Sequence, residues 1–182
     1  MYYKKILAAA LTVSCIGGIV PANSVQAASL KIRYSGKTRY YKGKQLHVSY
    51  ANKNLSSKYV GIQINKVNMI PYYDYLVKQG PKVKRTYSKS SGKLILKNGD
   101  DTLTAYVGKR TYYLNGVKKT FSVAPTKVKY YKTKKTIILI PANAIVKGLG
   151  LNYKYSSSSK RIYITQPVIP SDSTTQVQTQ PS

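Results

Sequence analysis

From Leu30 to Thr165 the chain is written mostly in short runs whose apolar and polar positions alternate with a period of two. Leu30-Lys31-Ile32-Arg33-Tyr34 and Gln45-Leu46-His47-Val48-Ser49-Tyr50 each place apolar side chains on one face of a strand, with Gly36 and Gly43 at the turns between. Residues 93–96 and 102–107 flank Asn98-Gly99-Asp100-Asp101; residues 111–114 follow Gly108-Lys109, and 118–123 follow Asn115-Gly116. Asn-Gly tolerates the positive φ angles of a tight hairpin, so this middle stretch predicts an antiparallel meander.

Two segments break the period. Pro71 opens Tyr72-Tyr73-Asp74-Tyr75-Leu76-Val77-Lys78-Gln79 before Gly80, and Pro141 opens Ala142-Asn143-Ala144-Ile145-Val146-Lys147-Gly148-Leu149 before Gly150. Proline at the first turn and glycine just past the last is the signature of a short helix. Each segment follows an apolar strand (67–70 and 137–140) and precedes an alternating hairpin (83–87 with 94–96, and 153–155 with 161–164). The chain therefore reads as two copies of a strand–helix–hairpin unit. The expected fold class is α+β, mostly antiparallel β, with short helices packed on curled sheets.

Several small motifs occur in a fixed order: Met69-Ile70-Pro71 with Gly80, Val107-Gly108-Lys109, Leu114-Asn115-Gly116, Ala124-Pro125, Leu139-Ile140-Pro141, Gly148-Leu149-Gly150 and Arg161-Ile162-Tyr163-Ile164. This series resembles the copper amine oxidase N-terminal-like, or stalk, domain of secreted proteins from Gram-positive bacteria. The resemblance implies a sheet curled around a helix, repeated, serving as a spacer at the cell envelope. It implies no copper chemistry, because the metal and quinone of copper amine oxidases belong to a separate C-terminal catalytic domain. Two positions depart from the family pattern: Asp74 is the lone acid of the first helix, and Tyr155 stands where a hairpin tryptophan is expected.

The rest of the chain is read from its composition. Residues 1–27 have the form of a secretory signal peptide: Lys4 and Lys5, an apolar stretch over 6–20, and Val25-Gln26-Ala27 before the expected cleavage. That stretch is short for roughly 30 Å of hydrocarbon, so no integral span is expected after cleavage. Leu11 lies one position too far from Cys15 for a lipoprotein signal. Residues 28–58 are expected to form an N-terminal β extension and 59–165 the stalk-like domain, in halves of about 59–107 and 108–165. Residues 166–182, with Pro167, Pro170 and Pro181 among Ser, Thr and Gln, read as a flexible tail. The expected location is secreted or at the cell envelope.

Charge narrows the chemistry. There are 31 Lys and Arg against 4 Asp and Glu, a formal net charge of +27. The acids are Asp74, Asp100, Asp101 and Asp172, and His47 and Cys15 are the single histidine and cysteine. Paired carboxylates for hydrolysis, an oxygen cage for a hard cation and a His/Cys cluster for zinc or copper are all missing from this inventory. The expectation is no enzyme, no metal and no cofactor. His47 reads as a solvated strand residue and Asp100-Asp101 as turn residues.

The cations are interleaved with tyrosine: Arg39-Tyr40-Tyr41-Lys42, Lys84-Arg85-Thr86-Tyr87, Lys109-Arg110-Thr111-Tyr112-Tyr113 and Lys127-Val128-Lys129-Tyr130-Tyr131-Lys132. So large a positive charge repels itself, and a counter-anion relieves it. The candidate polyanion-binding residues are Arg39, Lys42, Lys84, Arg85, Lys109, Arg110, Lys127, Lys129 and Lys132. With export, the expected partners are the anionic cell-wall polymers, teichoic acid and peptidoglycan. The alternatives are an inert spacer and a protein that binds extracellular nucleic acid.

Overall fold

The computed structural model describes residues 29–168, which hold fifteen strands and two short helices. The signal-peptide reading, Cys15 and most of the tail lie outside the described residues. The chain opens with a hairpin of β1 (Leu30–Tyr34) and β2 (Lys37–Tyr41). Ser35 and Gly36 turn it with φ of 49° and 72°, the paired positive values whose twist suits the flanking strands. Then come β3 (His47–Tyr50), β4 (Lys53–Leu55), β5 (Ile62–Ile64) and β6 (Val67–Pro71). The meander is β7 (Lys84–Tyr87), β8 (Lys93–Asn98), β9 (Asp101–Tyr106), β10 (Thr111–Leu114) and β11 (Val117–Thr120). The chain closes with β12 (Thr126–Tyr130), β13 (Lys135–Pro141), β14 (Asn152–Ser156) and β15 (Arg161–Thr165).

The helices are α1 (Tyr73–Gln79) and α2 (Ala142–Gly148). Pro71 and Pro141 sit at the ends of β6 and β13 rather than inside the helical turn. Without an N–H, proline cannot extend a ladder and suits the place where a strand stops. α1 is wound as a π-helix, and the Gly80 N–H donates to the Tyr75 carbonyl five residues back at 3.1 Å. A Cβ at Gly80 would fall 2.1 Å from that same oxygen, so only glycine closes this turn. α2 is α-helical and stops at Gly150, whose φ of 69° is the left-handed cap that other residues resist.

Three sheets result: β2-β1-β12-β13-β6-β5, the meander β11-β10-β9-β8-β7, and β14-β15-β3-β4. Every pairing is antiparallel except β15 with β3. Strands remote in sequence carry the assembly, since β1 pairs with β12, β3 with β15, and β6 with β13.

Two apolar clusters lie on opposite faces of the six-stranded sheet. Ile70 and Ile140 join the larger one with Leu76 of α1, Ile145 and Val146 of α2, and Leu94, Leu96 and Leu103 of the meander. Met69 and Leu139 join the smaller one with Ile32, Ile62, Val128 and Tyr130. This two-sided burial explains why residues 137–140 are an unbroken apolar run, whereas β12, covered on one side, alternates Lys127, Val128, Lys129, Tyr130. Among the described residues no helix is long and apolar enough to cross a membrane.

A candidate anion-binding face

The face of the six-stranded sheet that meets the larger cluster changes character across its width. At β13 and β6 it is Ile138, Ile140 and Ile70, covered by the helices and the meander. At β12 and β1 the cover ends. Lys127 stands opposite Ile138, Lys129 opposite Thr136, and Arg33 opposite both Lys129 and Thr38. Directly opposed residues share a face, so Lys127, Lys129, Arg33 and, two residues from Arg33, Lys31 project together beyond the edge of the core. All four are exposed.

Tyrosine rings floor this face. The Lys31 ammonium lies 5.0 Å from the Tyr131 ring centre and 5.5 Å from that of Tyr40, and the Lys129 ammonium lies 5.5 Å from Tyr131. The Tyr131 hydroxyl is hydrogen-bonded to the Thr38 hydroxyl at 2.9 Å. That bond holds the Tyr131 phenol below the ordinary tyrosine range, and Lys129, Arg33 and Lys31 pull the same way by stabilising the phenolate.

Two cavities open at the two ends of the β1–β12 pair. At the Tyr34 end a groove of about 740 Å³ runs between the sheet and the Ser-rich turn joining β7 to β8; its cations are Arg33, Lys89, Lys127 and Lys129. At the Leu30 end a pocket of about 570 Å³ is lined by Lys31, Lys58, Lys132, Lys160 and His47, over Tyr130 and Val60. No Asp or Glu lines either one.

Of the nine residues read from the sequence, Lys127 and Lys129 belong to the groove and Lys132 to the pocket. The others lie elsewhere. The Arg39 guanidinium sits 4.3 Å over Tyr34 and donates to its hydroxyl, on the opposite face of the sheet from Arg33, since Arg39 pairs with Ile32. Lys42 is exposed in the loop after β2. Lys84 is on the outer face of the meander opposite Lys97, and Arg85 lies 4.6 Å over Tyr73. Lys109 is 5.5 Å over Tyr106, and Arg110 donates through Nε to the Phe121 carbonyl at 2.7 Å, a structural tie. Lys31, Arg33 and Lys89 escaped the sequence reading because no tyrosine pair abuts them in the chain. The alternation Lys31-Ile32-Arg33 was the available signal.

The remaining polar residues serve the fold. His47 is an exposed strand residue, with its N–H donating to the Lys160 carbonyl. Asp74 accepts from Ser57, and Asp101 accepts from Asn115 at 2.9 Å. The Tyr155 hydroxyl is buried without a hydrogen-bond partner, beside Asn143 and Tyr153.

Fold and face together define a mostly antiparallel β module with a strongly basic sheet surface. The chain belongs to the copper amine oxidase N-terminal domain family, whose model matches residues 50–164. In copper amine oxidases that domain is not the catalytic one, which makes this a stalk-like module. No curated protein and no solved structure matches the chain. Copper itself finds no ligand set here: His47 is the one histidine, and no three of His, Cys, Asp or Glu cluster among the described residues.

Proposed function

We infer that this chain is an exported, non-catalytic stalk-like module of the Gram-positive envelope, and that it docks on anionic wall polymer, teichoic acid foremost, through the exposed face of β1 and β12. The observation that carries this reading is the convergence of Arg33, Lys89, Lys127 and Lys129 on one groove with no acidic lining. Like charges gathered from three separate parts of the chain repel one another, and an anion seated among them removes that repulsion. The stalk reading draws further support from the matching element orders β6–α1–β7–β8 and β13–α2–β14–β15. They are consistent with two copies of one unit joined through the β6–β13 ladder.

Sedimentation of residues 28–182 with purified Gram-positive walls, with and without teichoic acid, across a salt series tests this. Retention that falls steeply with salt and is lost when teichoic acid is stripped is the expected result, because displaced counterions make phosphate binding salt-dependent. Retention indifferent to both, or no retention at all, overturns it; the latter leaves a charged spacer.

A further inference from the structure

The groove and the pocket are not independent features. The groove takes Arg33, Tyr34 and Lys127, at the C-terminal end of β1 and the N-terminal end of β12; the pocket takes Leu30, Lys31 and Lys132, at the other end of the same antiparallel pair. β12 runs from Thr126 to Tyr130, so Lys127 and Lys129 share one face of the strand, and Lys132 lies in the turn beyond its end. The interval is not neutral: Arg33 and Lys129 face each other across the ladder, and Lys31 follows over Tyr131. Cations therefore line the exposed face from the groove to Lys31, which also lines the pocket, and there the path rounds the end of the ladder to Tyr130 on the other face.

The tyrosine rings on this path already carry cations. Tyr131 lies beneath Lys31 and Lys129 with its hydroxyl tied to Thr38, and Tyr40 also lies beneath Lys31. Single-stranded nucleic acids bind through free aromatic faces on which bases stack. Here the rings position ammonium groups instead. The donors are Arg33 and several lysines, a set that suits phosphate oxygens.

Resting on the docking function inferred above, we propose that a single phosphodiester polymer without bases lies along β1 and β12, rounds the end of the ladder at Lys31, and so occupies the groove and the pocket at once. A chain that reaches both cavities makes the second contact intramolecular and gains avidity; a one-phosphate fragment does not.

The test is a set of titrations of residues 28–182 with a glycerol phosphate polymer, with glycerophosphoglycerol (a single phosphodiester) and with oligothymidylate of matched charge. Each is run on the parent and on two double variants, Lys89→Gln/Lys127→Gln at the groove and Lys132→Gln/Lys160→Gln at the pocket. All four side chains are exposed, so the fold is not at stake. The expected result is polymer binding weakened about tenfold by either pair, with the slope of log K against log salt reduced by about 1.4 in each, two charges at about 0.7 apiece. The single phosphodiester should bind far more weakly, and oligothymidylate about tenfold more weakly than the polymer. If only one pair matters, the spanning polymer is wrong; if oligothymidylate binds as tightly as the polymer, the exclusion of bases is wrong. Polymer binding that neither pair alters refutes the path while leaving a docking function on another surface. Failure of the polymer to bind at all refutes both.

Discussion

Arg33 and Lys129 stand directly opposite each other across the β1–β12 ladder, two cations on one exposed face. Like charges so placed destabilise a sheet by roughly 0.2–1 kcal/mol. Lys129→Gln should therefore raise the stability of the free protein by about 0.5 kcal/mol at low salt while weakening its hold on a polyanion. The gain should vanish near 1 M salt, where screening acts within about 3 Å. Urea denaturation at two ionic strengths measures it, and a variant less stable at low salt would count against the electrostatic origin.

Local pattern made much of this architecture legible. Alternation marked β1 and β3, Asn-Gly marked the meander turns, and Pro71 with Gly80 bracketed α1. Long-range pairing was not legible. Nothing near Lys31 and Arg33 in the sequence announces that they lie beside Lys129, because that neighbourhood is created by β1 joining β12 across the whole chain. Tyrosine next to a cation in the chain named neither the ring that the cation meets nor a shared surface. Arg39, Arg85 and Lys109 do sit over rings, but on separate surfaces. The π winding of α1 also escaped, since Pro71 and Gly80 bracket an α turn and a π turn alike; it closes with the Gly80 N–H on the Tyr75 carbonyl.

Buried phenols set an alkaline limit. Burial pushes the Tyr75 hydroxyl from 10.0 up to about 12, with the nearby Asp74 charge adding to the effect, and burial raises Tyr130 further. The unfolded chain releases these protons near pH 10 while the folded chain holds them, so the folded state binds more protons and stability falls as pH rises from 10 toward 12. Below pH 10 the contribution is constant. Tyr75→Phe should flatten part of that decline, as followed by thermal melts at pH 9, 10 and 11; an unchanged pH profile would contradict the assignment.

Tyr130 is nearly fully buried, and its hydroxyl donates to the Val60 carbonyl at 2.6 Å. Tyr130→Phe keeps the ring against Ile32 and Val128 and leaves that carbonyl without its partner. The expected loss is about 1–3 kcal/mol in denaturant unfolding. A neutral result would mean that water replaces the hydroxyl.

Gly150 carries a double constraint. Its φ is 69°, and a Cβ there would lie 2.6 Å from Asp101 Oδ2. Gly116 has a φ of 83° with open space around it. Gly116→Ala should cost about 1–2 kcal/mol for the left-handed backbone alone, and Gly150→Ala should cost more because the β9 carboxylate must move. Equal costs for the two would show that Asp101 yields freely.

The central claim is that a particular face, and not net charge, captures the polyanion. Two triple variants remove the same charge: Arg33→Gln/Lys127→Gln/Lys129→Gln on the β1–β12 face, and Lys84→Gln/Lys97→Gln/Lys118→Gln on the outer face of the meander. Their affinities for a glycerol phosphate polymer should be compared at one ionic strength. The account predicts that the first set loses about two orders of magnitude, with a salt slope lower by about 2, while the second stays close to the parent. Equal losses in the two sets would contradict it and leave only a uniformly charged stalk.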